Sequence, residues 1–142
     1  MKKIESFSIG QTASYAKTMT ETETYLGVGL IGAMNPVHID KVYCSKTRFK
    51  EPIGVGLLVN ALSVSTAQNC LLLCPSVLTT MDATFVAPVY FGDTIQANVE
   101  IIDLDKGKNL VSFKHEMKNQ RNETVLVGKF TLRIIEEDKT NA

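Results

Sequence analysis

Residues 52–81 read PIGVGLLVNALSVSTAQNCLLLCPSVLTTM, thirty consecutive positions without a charged side chain in a chain that is 21% charged. An ordinary surface helix carries charges on one face, so an uncharged run of this length has to be enclosed by something. Lipid does not fit, because Asn60, Ser63, Ser65, Thr66, Gln68 and Asn69 interrupt the run and leave no apolar stretch of membrane-spanning length. The remaining account is a helix from about Gly56 to Leu72 enclosed by protein on nearly all sides. Its small residues Ala61, Ser63, Ser65 and Ala67 let neighbours approach closely.

The material for that enclosure lies downstream, where the period changes from helical to twofold. Ser76 to Val89 reads as a strand. Ile95, Ala97, Val99 and Ile101 alternate with Gln96, Asn98 and Glu100, and Val111, Phe113, His115 and Met117 alternate with Ser112, Lys114, Glu116 and Lys118. Leu126, Phe130, Leu132 and Ile134 mark a last strand, and Gly92-Asp93, Asp105 to Lys108 and Asn119 to Asn122 supply turns. Upstream, Phe7 to Thr18 alternates as an edge strand. Thr20 and Glu23 form a capping-box pair ahead of a short helix that ends at Gly32. Asn35-Pro36 predicts a loop over 33–38, because a residue before proline is pushed out of the helical region. Asp40 is placed to cap a second short helix, Lys41 to Thr47.

The simplest packing of these elements is an α+β domain in which a curved antiparallel β-sheet wraps around the long central helix. Such a sheet leaves an edge exposed, and pairing edges between two chains removes that hazard, which predicts a homodimer whose interface lies beside Leu30 to Gly56.

With 142 residues and no Pro/Gly/Ser-rich or like-charged linker, the chain is expected to be one domain over 1–142. Lys plus Arg and Asp plus Glu both number 15 without long like-charged patches, which argues against nucleic acid and anionic membrane as partners. Glu5 follows the lysines at the N-terminus with no apolar run behind it, so a cytoplasmic location is expected. Cys44, Cys70 and Cys74, with only His38 and His115, assemble no zinc-ligand pattern, and no metal or cofactor is expected. Cys70 and Cys74, four apart and able to share a helix face, read as small buried hydrophobes.

Leu30 to Gly56, LIGAMNPVHIDKVYCSKTRFKEPIGVG, is where chemistry is expected, since it joins one of two histidines to a glycine-rich helix entry. On residue type alone, a single histidine after Asn-Pro is expected to bond a backbone carbonyl. His115, sharing a strand face with Val111, Phe113 and Met117, is expected to be buried structure.

The run Gly32, Asn35-Pro36-Val37-His38, Asp40, followed by Tyr43, Thr47, Phe49, Pro52-Ile53 and Gly56, resembles the signature of MaoC-like dehydratases and (R)-specific enoyl-CoA hydratases. A second block, Phe85, Pro88-Val89, Gly92-Asp93-Thr94, is similar to the family segment that follows its central helix. The likeness covers about Phe7 to Ile135 and implies the hot dog fold and reversible hydration of an enoyl thioester of coenzyme A or acyl-carrier protein. It implies His38 as the catalytic imidazole, the Gly56 N–H as the donor to the thioester carbonyl, and Asn35 as a holder of the loop or of the catalytic water. Pro36, Val55, Leu57 and Asn60 are the expected substrate-binding residues.

The chain also departs from that pattern. The family runs Ser-Gly-Asp-x-Asn-Pro-x-His, with the aspartate as second catalytic group, where this sequence has Ile31-Gly32-Ala33-Met34-Asn35-Pro36-Val37-His38. Val55 also stands where a histidine is common. Asp40 is expected to be a helix cap, and Glu51 is a weaker substitute for the missing carboxylate. Three readings follow: a hydratase or dehydratase with reduced or lost activity, a non-catalytic acyl-thioester binder and, ranked last for want of a base on the helix, a hot dog thioesterase.

Overall fold

The computed structural model describes residues 2–136; Met1 and residues 137–142, which the single-domain expectation includes, lie outside the described residues. The charge-free run forms helix α4, Gly56–Thr66, which continues as a π-helical segment, Ala67–Leu72. Leu73 ends it in the left-handed conformation, with its N–H donating to the Gln68 carbonyl, and Pro75 then prevents its resumption.

Around it run β1 (Thr12–Thr18), α1 (Glu21–Ile31), α2 (Pro36–Ile39), α3 (Lys41–Ser45), β2 (Ser76–Phe85), β3 (Thr94–Asp105), β4 (Leu110–Lys118) and β5 (Thr124–Ile134). The strands make one antiparallel sheet in the order β1-β3-β4-β5-β2, so β1 and β2 are its edges. The alternation in the sequence has its expected consequence: Ile95, Ala97, Val99 and Ile101 on β3 and Val111, Phe113, His115 and Met117 on β4 face the helix and are buried. Two clusters fill the space between. Val59 and Leu62 pack with Met19, Ile95 and Leu126, while Leu71 and Leu72 pack with Ile101, Phe113 and Phe130. Phe113 and Phe130 sit opposite each other in register and stack at 4.9 Å. Burying each such side chain stabilises the fold by roughly 1.5–3 kcal/mol, against about 0–1 kcal/mol for an exposed ion pair, so this packing decides the fold.

Several expectations need correction. Phe7 to Gln11 is not strand: Ile4–Ser6 is a 3-10 turn that buries Ile4 and Phe7, and Gly10 turns the chain at φ 90° before β1 begins. Residues 36–39 are a helical turn rather than loop, because Asn35 takes the extended conformation demanded before proline and caps α2 from there. Helix α3 stops at Ser45, and β2 stops at Phe85, short of Pro88. Nor is α4 enclosed on nearly all sides within the chain. Leu57, Ala61, Ser65 and Asn69, spaced by four, form an exposed uncharged stripe, because the sheet covers only the opposite face. The Thr20–Glu23 capping box does form, and Lys17 beside Glu23, together with the Thr20 bonds, holds that carboxyl down at about 2.

His115 crosses the core between α4 and the β2 edge. Its Nδ1 lies 2.7 Å from Ser63 Oγ and its Nε2 3.2 Å from the Asp82 carbonyl, with the ring edge on Phe130. A carbonyl only accepts, so Nε2 carries the proton and Nδ1 accepts from the Ser63 hydroxyl. Gly128, opposite His115 in register, is required by this crossing: a Cβ there would lie 2.6 Å from Nε2 and 2.3 Å from the Asp82 oxygen.

Burial holds the His115 pKa below that of a free imidazole, against the opposing pull of the Asp82 carbonyl and charge. The unfolded chain therefore binds this proton more readily, and the associated stability is full above about pH 6.5 and is lost as pH falls below it. Urea midpoints measured from pH 7.5 to 5 should fall more steeply for the wild type than for His115→Gln. Equal slopes would contradict the assignment.

Candidate active site

Three short segments are stapled together to make the site. The Asn35 side chain accepts from the Val37 N–H at 3.4 Å and Pro36 opens α2, so His38 is delivered on a rigid turn rather than a free loop. Asp40 accepts from the Tyr43 N–H at 2.8 Å and starts α3, and the buried Cys44 thiol points back at the carbonyls of Pro36 and Val37. The segment entering α4 then crosses both neighbours. Ile53 N–H donates to the Val37 carbonyl at 2.9 Å, Gly54 N–H to the Val89 carbonyl at 2.8 Å, and Ile53 pairs with Tyr90.

The Gly92-Asp93 motif holds the far side of this assembly. Gly92 turns at φ 93°, and the buried Asp93 carboxylate accepts from the Tyr90 N–H at 2.9 Å and from Gln120 Nε2 at 2.7 Å. Its role is therefore architectural: it fixes the connecting segment between β2 and β3 that carries Val89 and Tyr90 beside the site.

His38 Nδ1 lies 2.8 Å from the Ile53 carbonyl. Because that oxygen can only accept, Nδ1 is the protonated nitrogen and Nε2 keeps its lone pair, the state of a general base. The carbonyl bond expected of a structural histidine and the catalytic reading are thus the same geometry.

At the start of α4 the N-cap is Val55, which offers no side-chain acceptor. First-turn N–H groups have no intrahelical partner, so the N–H of Gly56 is left to bind an anion or a polarised carbonyl. The Phe85 ring packs close over Gly56: a Cβ there would stand 2.8 Å from it, so a larger residue would have to displace the ring.

His38 and Gly56 line one cavity of about 260 Å³, walled by Val59, Phe85, Ala87 and Val125, with Arg48 as the one charged residue among its lining. The other expected site residues fall outside it. Ala33 is half-buried beyond the left-handed Gly32, Asn35 and Pro36 are exposed at the start of α2, Val55 is buried as the cap, and Leu57 lies on the open stripe of α4. Asn60 is buried with Nδ2 3.3 Å from Met81 Sδ, and its Oδ1 has no partner among the described residues. Neither Asp40 nor Glu51 lines the cavity. Sequence reasoning quoted Phe49, Phe85 and Val89 only as motif positions and missed Arg48, Ala87 and Val125; Val125 carries no local signal, being brought in by strand pairing.

A larger groove of about 1000 Å³ touches the outward-facing side chains of the sheet. It offers less chemistry: Lys114 is paired with Glu100 at 2.7 Å, and both ring nitrogens of His115 behind it are occupied. Among the described residues no group of three His, Cys, Asp or Glu side chains is placed to hold a metal ion, and no helix is long and apolar enough to cross a membrane.

The model of the MaoC-like domain matches residues 7–124. An (R)-specific enoyl-CoA hydratase of Rhodospirillum rubrum is 36% identical over 111 residues, covering 78% of this chain and 76% of the relative. The enzyme of the same name from Aeromonas caviae is 25% identical over 130 residues, covering 92% and 97%. Among solved structures, an unliganded R-hydratase from Pseudomonas aeruginosa superposes with a TM-score of 0.83 at 30% identity, covering 95% of this chain and 86% of that one. With its five-stranded antiparallel sheet packed on a central helix, the chain has the hot dog fold and belongs to the MaoC-like dehydratase family.

Proposed function

We propose that the His38 cavity binds an enoyl or 3-hydroxyacyl thioester and that the protein is an (R)-specific enoyl-CoA hydratase whose turnover is slowed by the loss of a carboxylate. The observation that carries this reading is the placement of a base with a free Nε2 and a helix N-terminal N–H in the walls of one apolar cavity. In the proposed hydration, the thioester carbonyl accepts from the Gly56 N–H, which stabilises the enolate as it forms. His38 Nε2 takes a proton from water, the hydroxyl oxygen bonds to C3, and the proton is returned to C2, so the elements of one water add across the double bond. The Ile53 carbonyl holds the Nδ1 proton in place throughout. Val59 and Val125 fit the acyl chain.

The family pattern divides the water's activation between an aspartate and the histidine. With Ala33 at the aspartate position and no carboxylate among the cavity's lining residues, His38 works alone. Residues that act as a unit lose orders of magnitude when one is absent, whereas binding rests on groups that are present. That asymmetry is also what favours the second reading, a binder of acyl thioesters without turnover.

Crotonyl-CoA should bind with measurable heat in a calorimeter, and Ala33→Asp should raise the rate of absorbance loss at the enoyl-thioester band by more than about tenfold, with His38→Ala abolishing the gain. No binding up to millimolar ligand would overturn the proposal; binding with no gain from Ala33→Asp would select the non-catalytic reading.

We further propose a homodimer. Among the described residues the outer edge of β2 is unpaired, and Leu57 is 64% exposed, Phe85 52% and Val86 58%, which leaves apolar side chains open to solvent near the cavity. A second copy of the same edge and stripe is the occupant that matches it. Light scattering at micromolar concentration should give twice the 15.6 kDa chain mass; a monomer would contradict the pairing.

A further inference from the structure

The segment Lys46-Thr47-Arg48-Phe49-Lys50 carries three cations in five residues, followed by Glu51, in a chain whose total charge is balanced at 15 and 15. It is held in one shape. Thr47 Oγ1 donates to the Cys44 carbonyl at 2.8 Å and accepts from the Phe49 N–H at 3.2 Å, the Tyr90 hydroxyl donates to the Phe49 carbonyl at 3.0 Å, and Lys50 turns the chain at φ 67°. The Arg48 guanidinium is steadied 4.9 Å above the Phe49 ring.

Lys17, Lys41, Lys108, Lys114, Lys118 and Arg121 have a carboxylate within ion-pair distance. Among the described residues, Lys2, Lys3, Lys106, Lys129 and Arg133 have none, and neither do Lys46, Arg48 and Lys50, which differ from the others in lying together on one loop, with Glu51 adjacent in sequence. All three are exposed, and Arg48 is the single charged group lining the cavity that holds His38. Any anionic part of a ligand seated there meets its counter-charge at this loop and nowhere else along the cavity wall.

We propose that Lys46, Arg48 and Lys50 form a phosphate-binding site that takes the diphosphate and ribose phosphate of coenzyme A. This rests on the thioester reading of the cavity and specifies which carrier the site selects. A guanidinium on a fixed loop suits bidentate recognition of phosphoryl oxygens, and the two lysines add point charges to either side of it. Coenzyme A offers three phosphoryl groups to these three cations, whereas the phosphopantetheine of a carrier protein offers one, which is why coenzyme A is the better match.

The test compares butyryl-CoA with butyryl-pantetheine, which has the same thioester and no phosphate, by calorimetry on wild type, Arg48→Gln and Lys46→Gln/Lys50→Gln. Wild type should hold the coenzyme A ester at least about tenfold tighter, with an affinity that weakens as salt rises, and Arg48→Gln and Lys46→Gln/Lys50→Gln should each weaken the coenzyme A ester more than the pantetheine ester and so shrink that advantage. Equal wild-type affinity for the two esters overturns this site but leaves the thioester reading standing, and no binding of either overturns both. Equal weakening of both esters by Arg48→Gln would make the arginine a wall of the cavity and overturn the phosphate role. A butyryl-carrier protein bound more tightly than butyryl-CoA, and in an Arg48-dependent way, would overturn the choice of coenzyme A.

Discussion

The packing of an uncharged helix against one face of a five-stranded sheet is the constraint on which everything else depends. Val59, Leu62, Leu71 and Leu72 sit in the two core clusters, so α4 can neither slide nor rotate without exposing them. Its first turn is therefore held beside the Phe85 ring, which packs closely over Gly56. The functional groups inherit that rigidity: the N–H of Gly56 is aimed by the helix, and His38 is aimed by Ile53, three residues before the helix begins.

The electrostatics of the site follow from what the core excludes. The cavity has largely apolar walls and one charged lining residue, so His38 and the α4 N-terminus are its main polar groups besides Arg48. A carboxylate in such a place would be costly without a partner, and here none is present. What remains is a site built for binding and polarisation, with only one group to move protons.

The sequence was legible wherever a local rule had no competitor. The twofold alternation at Ile95 to Ile101 and Val111 to Met117 gave the buried face residue by residue, Thr20 and Glu23 gave a capping box that forms, and the uncharged run gave the central helix. It failed where two local rules compete or where distant contacts decide. Phe7 alternates like a strand residue but is buried by a 3-10 turn, Asn35-Pro36 opens a helix by capping it, and the open stripe from Leu57 to Asn69 carries no charge despite lying outside the core of one chain. In the site, His38 and Gly56 were legible from their motif, and the cavity unites them. Val125 and Ala87 were not, because β-strand pairing brings them in from far along the chain, and Asn60 turned out to face Met81.

The most direct measurement of the central claim is the amide and imidazole nitrogen spectrum of the protein during titration with butyryl-CoA. Binding as described moves the Gly56 amide and the His38 Nε2 resonance together and leaves Lys114, Glu100 and Lys129 of the larger groove in place. Shifts confined to that groove, with Gly56 and His38 unmoved, would contradict the account.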